Sequence, residues 1–172
     1  YEQYKSRLAD IERGGSIVDY ANGYRYFGWQ RDEDMSGWWF REWLPAAYDV
    51  YIFGDFNNWQ RTQLRLSKDA NGVWSVFLPD AMYANRLVDG SLYKRHIHGN
   101  NGWRDRIPTY AKRVVQDDAT KNYTAQFIIE HPYDWKHDDF RAPKVGELLI
   151  YEAHVGMAQE EEKVGTYREF RE

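Results

Sequence analysis

Three groupings of side chains in this sequence could do chemistry. Phe53 to Gln60 reads FGDFNNWQ, which crowds a glycine, two phenylalanines, two asparagines and a tryptophan into one turn. An indole placed there is either a core ring folding back or a flat surface held out for stacking. His96 and His98 alternate in SLYKRHIH, a spacing that sets both imidazoles on one face of a strand. Such a pair can hold a metal, but no third ligand stands at a sensible spacing. A solvated sheet face is therefore the better reading, and no metal is expected. Glu152 and His154 in YEAHVG share a strand face in the same way. The run GDFNN lacks the glycine spacing and the lysine of a phosphate-cradling loop. The chain has no cysteine, so disulfides, thiolate catalysis and cysteine-ligated zinc are excluded.

The bulk properties narrow the field further. A chain of 172 residues suits one domain, or one domain with a piece of another. Apolar residues make up 42% of it, enough for a core, and aromatics 17%. Eight Trp, fourteen Tyr and eight Phe exceed what a small interior takes, so some rings must lie exposed, where they mark binding surfaces. A net charge of −4 and a pI near 5.8 argue against nucleic acid as partner. No apolar run approaches the roughly 20 residues that span a bilayer. The opening YEQYKSRLADIERGG is charged throughout and unlike a signal peptide. No membrane partner is expected, and the cytoplasm is the expected location.

Elements that position these groups can be read from periodicity. Tyr1, Tyr4, Leu8 and Ile11 recur as one helical face, which Gly14-Gly15 ends. Ser16 and Asp19 have capping-box spacing, which predicts a short second helix over Ile17 to Asn22, ended by Gly23. From Gly37 the period becomes two. Trp39 and Trp43 fall on one face of WWFREW, with Trp38 and Phe40 on the other. Val50 and Ile52 alternate with Tyr51 and Phe53, and Trp74, Val76 and Leu78 go together. Trp38, Trp39, Trp43 and Trp74 are expected in the core. Asn71-Gly72 and Asn101-Gly102 are tight-turn signals, and SLYKRHIH and YTAQFIIE are further strands. Short strands with Gly and Asn turns predict an immunoglobulin-like antiparallel β-sandwich over residues 24–131, after a helical leader over 1–23. The stretch 132–146 reads as a linker. LLIYEAHVG then predicts a strand buried on both faces, and Thr166 with Glu169 predicts a helix start. Residues 147–172 are thus expected to be half of a βα unit, the first strand and helix start of a second, α/β domain, and the chain a fragment.

REWLPAAYDVYIFGDFNNWQ resembles the N-terminal β-sandwich of glycogen and starch branching enzymes, carbohydrate-binding module family 48. RDRIPTYAKRVVQD resembles the later part of that module, and YANGYRYFGWQRDED the segment before it. LLIYEAHVGMAQEEEKVGTYREFRE is similar to the opening of the catalytic (β/α)8 barrel of glycoside hydrolase family 13. The ordered set covers nearly the whole chain. It looks more like branching enzymes than like debranching enzymes, which carry the same module type; a non-catalytic glycogen-targeting module is the rival of another class.

The resemblance implies transfer of an α-1,4 glucan piece into an α-1,6 bond by carboxylates on later barrel strands. No catalytic residue is therefore assigned here, no cofactor is implied, and the fragment alone is expected to be inactive. The expected partners are an α-glucan polysaccharide and the chain's own C-terminal barrel. Carried over by position, the glycan contacts are Trp59, Lys94 and Trp103, with Asn57 added because ring and amide come from one turn. An indole suits the apolar face of a sugar, and amide or lysine groups suit its hydroxyl rim. Phe53, Gly54 and Phe56 are expected to build the turn. In the whole enzyme Glu152 and His154 would line the lower active site or hydrogen-bond inside the barrel.

Overall fold

The computed structural model describes residues 1–136 and 139–172, with all their side chains except those of Asp19 and Tyr20. The chain forms two compact units, Tyr1–His131 and Pro132–Glu172.

The first unit opens with helices α1 (Glu2–Glu12) and α2 (Ile17–Tyr20). Periodicity predicts α1 and capping-box spacing predicts α2, which ends two residues short of the expected Asn22; α1 buries no residue, and Tyr1 and Tyr4 are exposed. The capping role expected of the Asp19 side chain lies outside the described residues. The strands follow: β1 (Gly28–Arg31), β2 (Gly37–Trp43), β3 (Asp49–Gly54), β4 (Leu64–Arg65), β5 (Ser67–Lys68) and β6 (Val73–Pro79). After helix α3 (Asp80–Tyr83) come β7 (Leu92–Gly99), β8 (Gly102–Arg106), β9 (Arg113–Gln116) and β10 (Tyr123–Gln126). Among the described residues they make two antiparallel sheets. One runs β1-β2-β6-β5; the other runs β4-β3-β7-β10-β9, with β8 beside the far half of β7. The mostly-β sandwich read from the alternating sequence is the fold observed.

Alternation explains what fills the core. Phe40, Val50, Ile52 and Leu78 point inward and are fully buried. Trp29 sits at their centre, edge-on to Phe56, Tyr93 and Phe127 at 5.7–5.9 Å between ring centres, as aromatic quadrupoles prefer. The core is not wholly apolar. Glu42 from β2 and Arg95 from β7 meet between the sheets at 2.6 Å, and the Glu42 carboxylate also accepts the Thr109 N–H. Burial and the nearby Glu42 charge push the Tyr93 phenol up.

The tryptophans of β2 are not all core. Trp74 is buried and Trp38 packs against the core, but Trp39 lies on the outer face and Trp43 is 58% exposed. One strand has two faces and this sheet has one core, so residues 39 and 43 cannot share the interior with Trp38 and Phe40. Instead the Trp39 indole N–H donates to Asp32, and the Trp43 N–H donates to the Asn71 carbonyl.

The second unit carries helix α4 (Tyr167–Arg171), capped as its sequence signals. Thr166 accepts the Glu169 N–H while the Glu169 carboxylate accepts the Thr166 N–H. The Lys163 ammonium and these Thr166 hydrogen bonds hold the Glu169 carboxyl down to about 2. The strand expected from LLIYEAHVG is absent among the described residues. Leu148 to His154 lack regular structure, and Leu149 and Ile150 are exposed. A single apolar segment without a ladder partner cannot satisfy its backbone as a strand.

Candidate functional site

Outward-facing residues of β3, β7 and β8 build one aromatic surface. Register puts Tyr51 opposite His96 and Phe53 opposite Lys94; across the other edge of β7, Trp103 lies opposite His98 and Asp105 opposite His96. The two halves of the surface come from different local structures, a turn and a hairpin.

The turn follows β3. Gly54 must be glycine there because a Cβ would lie 2.1 Å from the Leu92 carbonyl oxygen. Its φ of 173° is ordinary extended backbone, so close approach of β7 is the reason, and not backbone freedom. Asp55 to Asn57 make one 3-10 turn, and Asn58 and Trp59 then take left-handed φ values of 53° and 58°. Asn tolerates that region; a bulky tryptophan does so at a cost of roughly 1–2 kcal/mol. Three contacts hold it there. The Trp59 backbone N–H donates to Gly54 at 2.9 Å, its indole Nε1 donates to Asp55 at 2.8 Å, and its ring meets Phe53 edge-on at 5.7 Å. Asp55 is itself fixed, because its other oxygen accepts the Leu92 N–H. Trp59 remains 37% exposed, so it is neither a core ring folding back nor a loose one.

The hairpin joins β7 to β8 through Asn100-Asn101, with Gly102 at φ 77°. It returns Trp103 over the outer face, where the indole is 45% exposed. That indole stacks on His96 at 4.5 Å and 9° and on His98 at 4.7 Å and 12°. Asp105 binds His96 Nδ1 at 2.6 Å and Arg61 at 2.9 Å. Burial opposes ionisation of Asp105, but the hydrogen bonds from Arg61 and His96 prevail and hold its carboxyl below the usual carboxylate range. The Arg61 guanidinium lies 5.1 Å over the Phe53 ring. Phe53, only 1% exposed, is thus the floor between the two tryptophans, not part of the interior core.

Of the residues expected to touch a ligand, Trp59, Lys94 and Trp103 come together on this face. Lys94 projects beside Phe53, with no hydrogen bond or ion pair among the described residues. Asn57 does not join them. It is 3% exposed, its Oδ1 accepts the Gly54 N–H and its Nδ2 donates to the Gln60 carbonyl, both at 2.9 Å. Its amide is committed to bracing the turn, a use of asparagine that competes with any surface role. Nothing in RTQ marks Arg61, and spacing alone puts the histidines on the Lys94 face without showing what stacks on them. They bring no metal set: among the described residues no group of three His, Asp or Glu converges. Glu152 and His154 lie in the irregular stretch of the second unit.

A separate cleft of about 590 Å³ opens between Trp29, Trp38 and Phe127 and contains none of these residues. The exposed indoles form a surface instead, which is what an extended polymer can lie along. Among the described residues no helix is long and apolar enough to cross a membrane.

Comparison with known proteins bears on this surface. The chain is 38% identical over 176 residues to a chloroplastic/amyloplastic 1,4-alpha-glucan-branching enzyme 1 of Pisum sativum, covering 99% of this chain and 21% of that protein. It is 36% identical over 178 residues to the 1,4-alpha-glucan-branching enzyme of Dictyostelium discoideum, covering 100% of this chain and 25% of that one. The chain therefore spans about a fifth to a quarter of the length of these relatives. Among solved structures, a type I pullulanase of Bacillus subtilis aligns over 71% of this chain and 15% of its own, at a TM-score of 0.47 and 19% identity, a likeness too loose to build on. Residues 26–111, half of the chain, match carbohydrate-binding module 48 (isoamylase N-terminal domain), and the chain belongs to that family.

Proposed function

We propose that this chain is the N-terminal, glucan-holding part of a 1,4-α-glucan-branching enzyme. The observation that carries the reading is similarity to such enzymes along 99–100% of the chain, not along the sandwich alone. Residues 1–23 serve as a leader, 24–131 as the carbohydrate-binding sandwich and 132–146 as a linker. Residues 147–172 are the first strand and helix start of the catalytic barrel, and LLIYEAHVG becomes a strand once that barrel's neighbours pair with it. Lack of cysteine fits a reducing compartment, the cytoplasm in the first instance.

Trp59 and Trp103 offer ring faces to glucose units, and Lys94 offers a donor to their hydroxyl rim. Burying one ring face gives roughly 1.5–3 kcal/mol. Two such contacts, less ordering costs, leave about −4 kcal/mol, a Kd near millimolar. A site of that strength works by avidity on a polymer with many equivalent segments. It keeps a growing glucan close to the barrel, where an α-1,4 bond is opened and the piece rejoined in α-1,6 linkage. No residue of this chain takes a catalytic role.

Amylose stained with iodine tests the reading. The 172-residue chain is expected to leave the absorption spectrum unchanged, and the protein extended through a barrel to shift it to shorter wavelengths. The number of reducing ends should stay constant, because transfer opens and closes one bond each time. Release of reducing ends from glycogen would indicate debranching instead, and no activity from an extended protein would indicate a targeting module.

A further inference from the structure

The glucan face contains a pair of histidines whose role the proposed contacts do not use. His96 and His98 stand on the same side of β7, and the Trp103 indole stacks within 12° of parallel on both. His96 is also tied by Nδ1 to Asp105, Asp105 to Arg61, and Arg61 lies over Phe53, against which Trp59 packs. A continuous run of contacts thus joins the turn that carries Trp59 to the hairpin that carries Trp103. Hairpin side chains on an exposed sheet face are otherwise free to change rotamer, and each must be ordered when a ligand binds.

We propose that His96 and His98 are positioning residues of the glucan face: they hold Trp103 in its stacked orientation and, through Asp105 and Arg61, in a fixed relation to Trp59. They pre-form the surface without touching the sugar. The inference rests on the glucan-binding reading given above, and it adds that the affinity of Trp103 depends on the imidazoles. The groups facing His96 are Tyr51 and Phe53 on β3 and Asp105 and Trp103 on β8, with Arg61 on the other oxygen of Asp105; those facing His98 are Asp49 on β3, Tyr48 before it and Trp103. Lys94 lies next along β7 itself.

Titration of maltoheptaose into the full 172-residue chain, by calorimetry or ligand-observed NMR, reads the effect. The H96A/H98A double variant should bind about three- to tenfold more weakly, the factor that ordering one released side chain costs. His98→Phe, which restores a flat ring, should bind within about twofold of wild type. A second readout needs no ligand. An indole held in one orientation against flat rings contributes to the near-ultraviolet circular dichroism, so the wild-type spectrum should differ from that of Trp103→Phe. That difference should shrink when Trp103→Phe is made in the H96A/H98A background. If the wild type binds maltoheptaose and the double variant binds equally well, the positioning role is overturned while the glucan reading stands. Equal binding by Trp103→Ala overturns it too, as does a Trp103 contribution to the spectrum that survives undiminished in the H96A/H98A background. A wild type that binds no maltoheptaose defeats the glucan reading itself, and this inference with it.

Discussion

Replacing Asn57 by alanine tests the turn that presents Trp59. In the native turn the Asn57 side chain is 3% exposed and makes two hydrogen bonds, each 2.9 Å, to the Gly54 N–H and the Gln60 carbonyl. Alanine removes both. The Gly54 N–H is buried and has no water to turn to, which costs about 1–3 kcal/mol. The Gln60 carbonyl lies on an exposed residue and is resolvated, so its bond is worth about 0.5–1.5 kcal/mol. The sum is about 1.5–4.5 kcal/mol. With a urea m-value of about 2 kcal/mol/M, the unfolding midpoint should drop by about 1–2 M. Asn57→Asp keeps the acceptor and loses the donor, so its midpoint should fall between the two. Tryptophan emission and far-ultraviolet circular dichroism would follow the transition. If Asn57→Ala unfolds at the wild-type midpoint yet loses glucan binding, the amide is a ligand contact and the structural reading of the turn is wrong.

Other consequences can be checked with the same instruments. Gly54→Ala brings a Cβ to 2.1 Å from the Leu92 oxygen and 2.8 Å from the Tyr93 Cα, so β3 and β7 must part. It should destabilise by about 1–3 kcal/mol, and an unchanged urea midpoint would contradict the close packing. Glu42→Gln leaves Arg95 as a buried cation without its partner and should cost about 3–5 kcal/mol, whereas replacing both by methionine should cost much less. Equal losses for the single and double variants would count against the pair. The lowered Asp105 carboxyl stabilises the fold above the ordinary carboxylate range, and that stability is lost as pH falls through its folded value. Asp105→Asn should therefore flatten the acid limb of the stability–pH curve below about pH 5, and an unaltered limb would refute the Arg61–Asp105–His96 contacts.

Much of this architecture was legible from residue patterns because alternation and turn chemistry are local. Val50 and Ile52, Trp74 and Leu78, the Asn-Gly turns and the Thr166–Glu169 capping box all needed only neighbours in sequence. What failed needed knowledge of the other side. Trp43 reads as core until it is clear that only one face of β2 is covered. Asn57 reads as a surface amide until the turn closes on it and its two backbone partners come within reach. LLIYEAHVG has the composition of a buried strand, but composition cannot supply the strands it would pair with. The recruitment of His96 and His98 under Trp103 depends on the β7–β8 register, which brings side chains five to seven positions apart into stacked contact. For the same reason Phe53 could be assigned to the turn, but not recognised as the floor joining two exposed indoles.

Native electrophoresis through gels with and without glycogen tests the central claim that the Trp59–Trp103 face holds α-glucan. The wild-type chain should be retarded by glycogen. Trp59→Ala, shown to be folded by an intact urea transition, should recover most of its free mobility. Equal wild-type mobility in both gels, or undiminished retardation of Trp59→Ala together with Trp103→Ala, would contradict it.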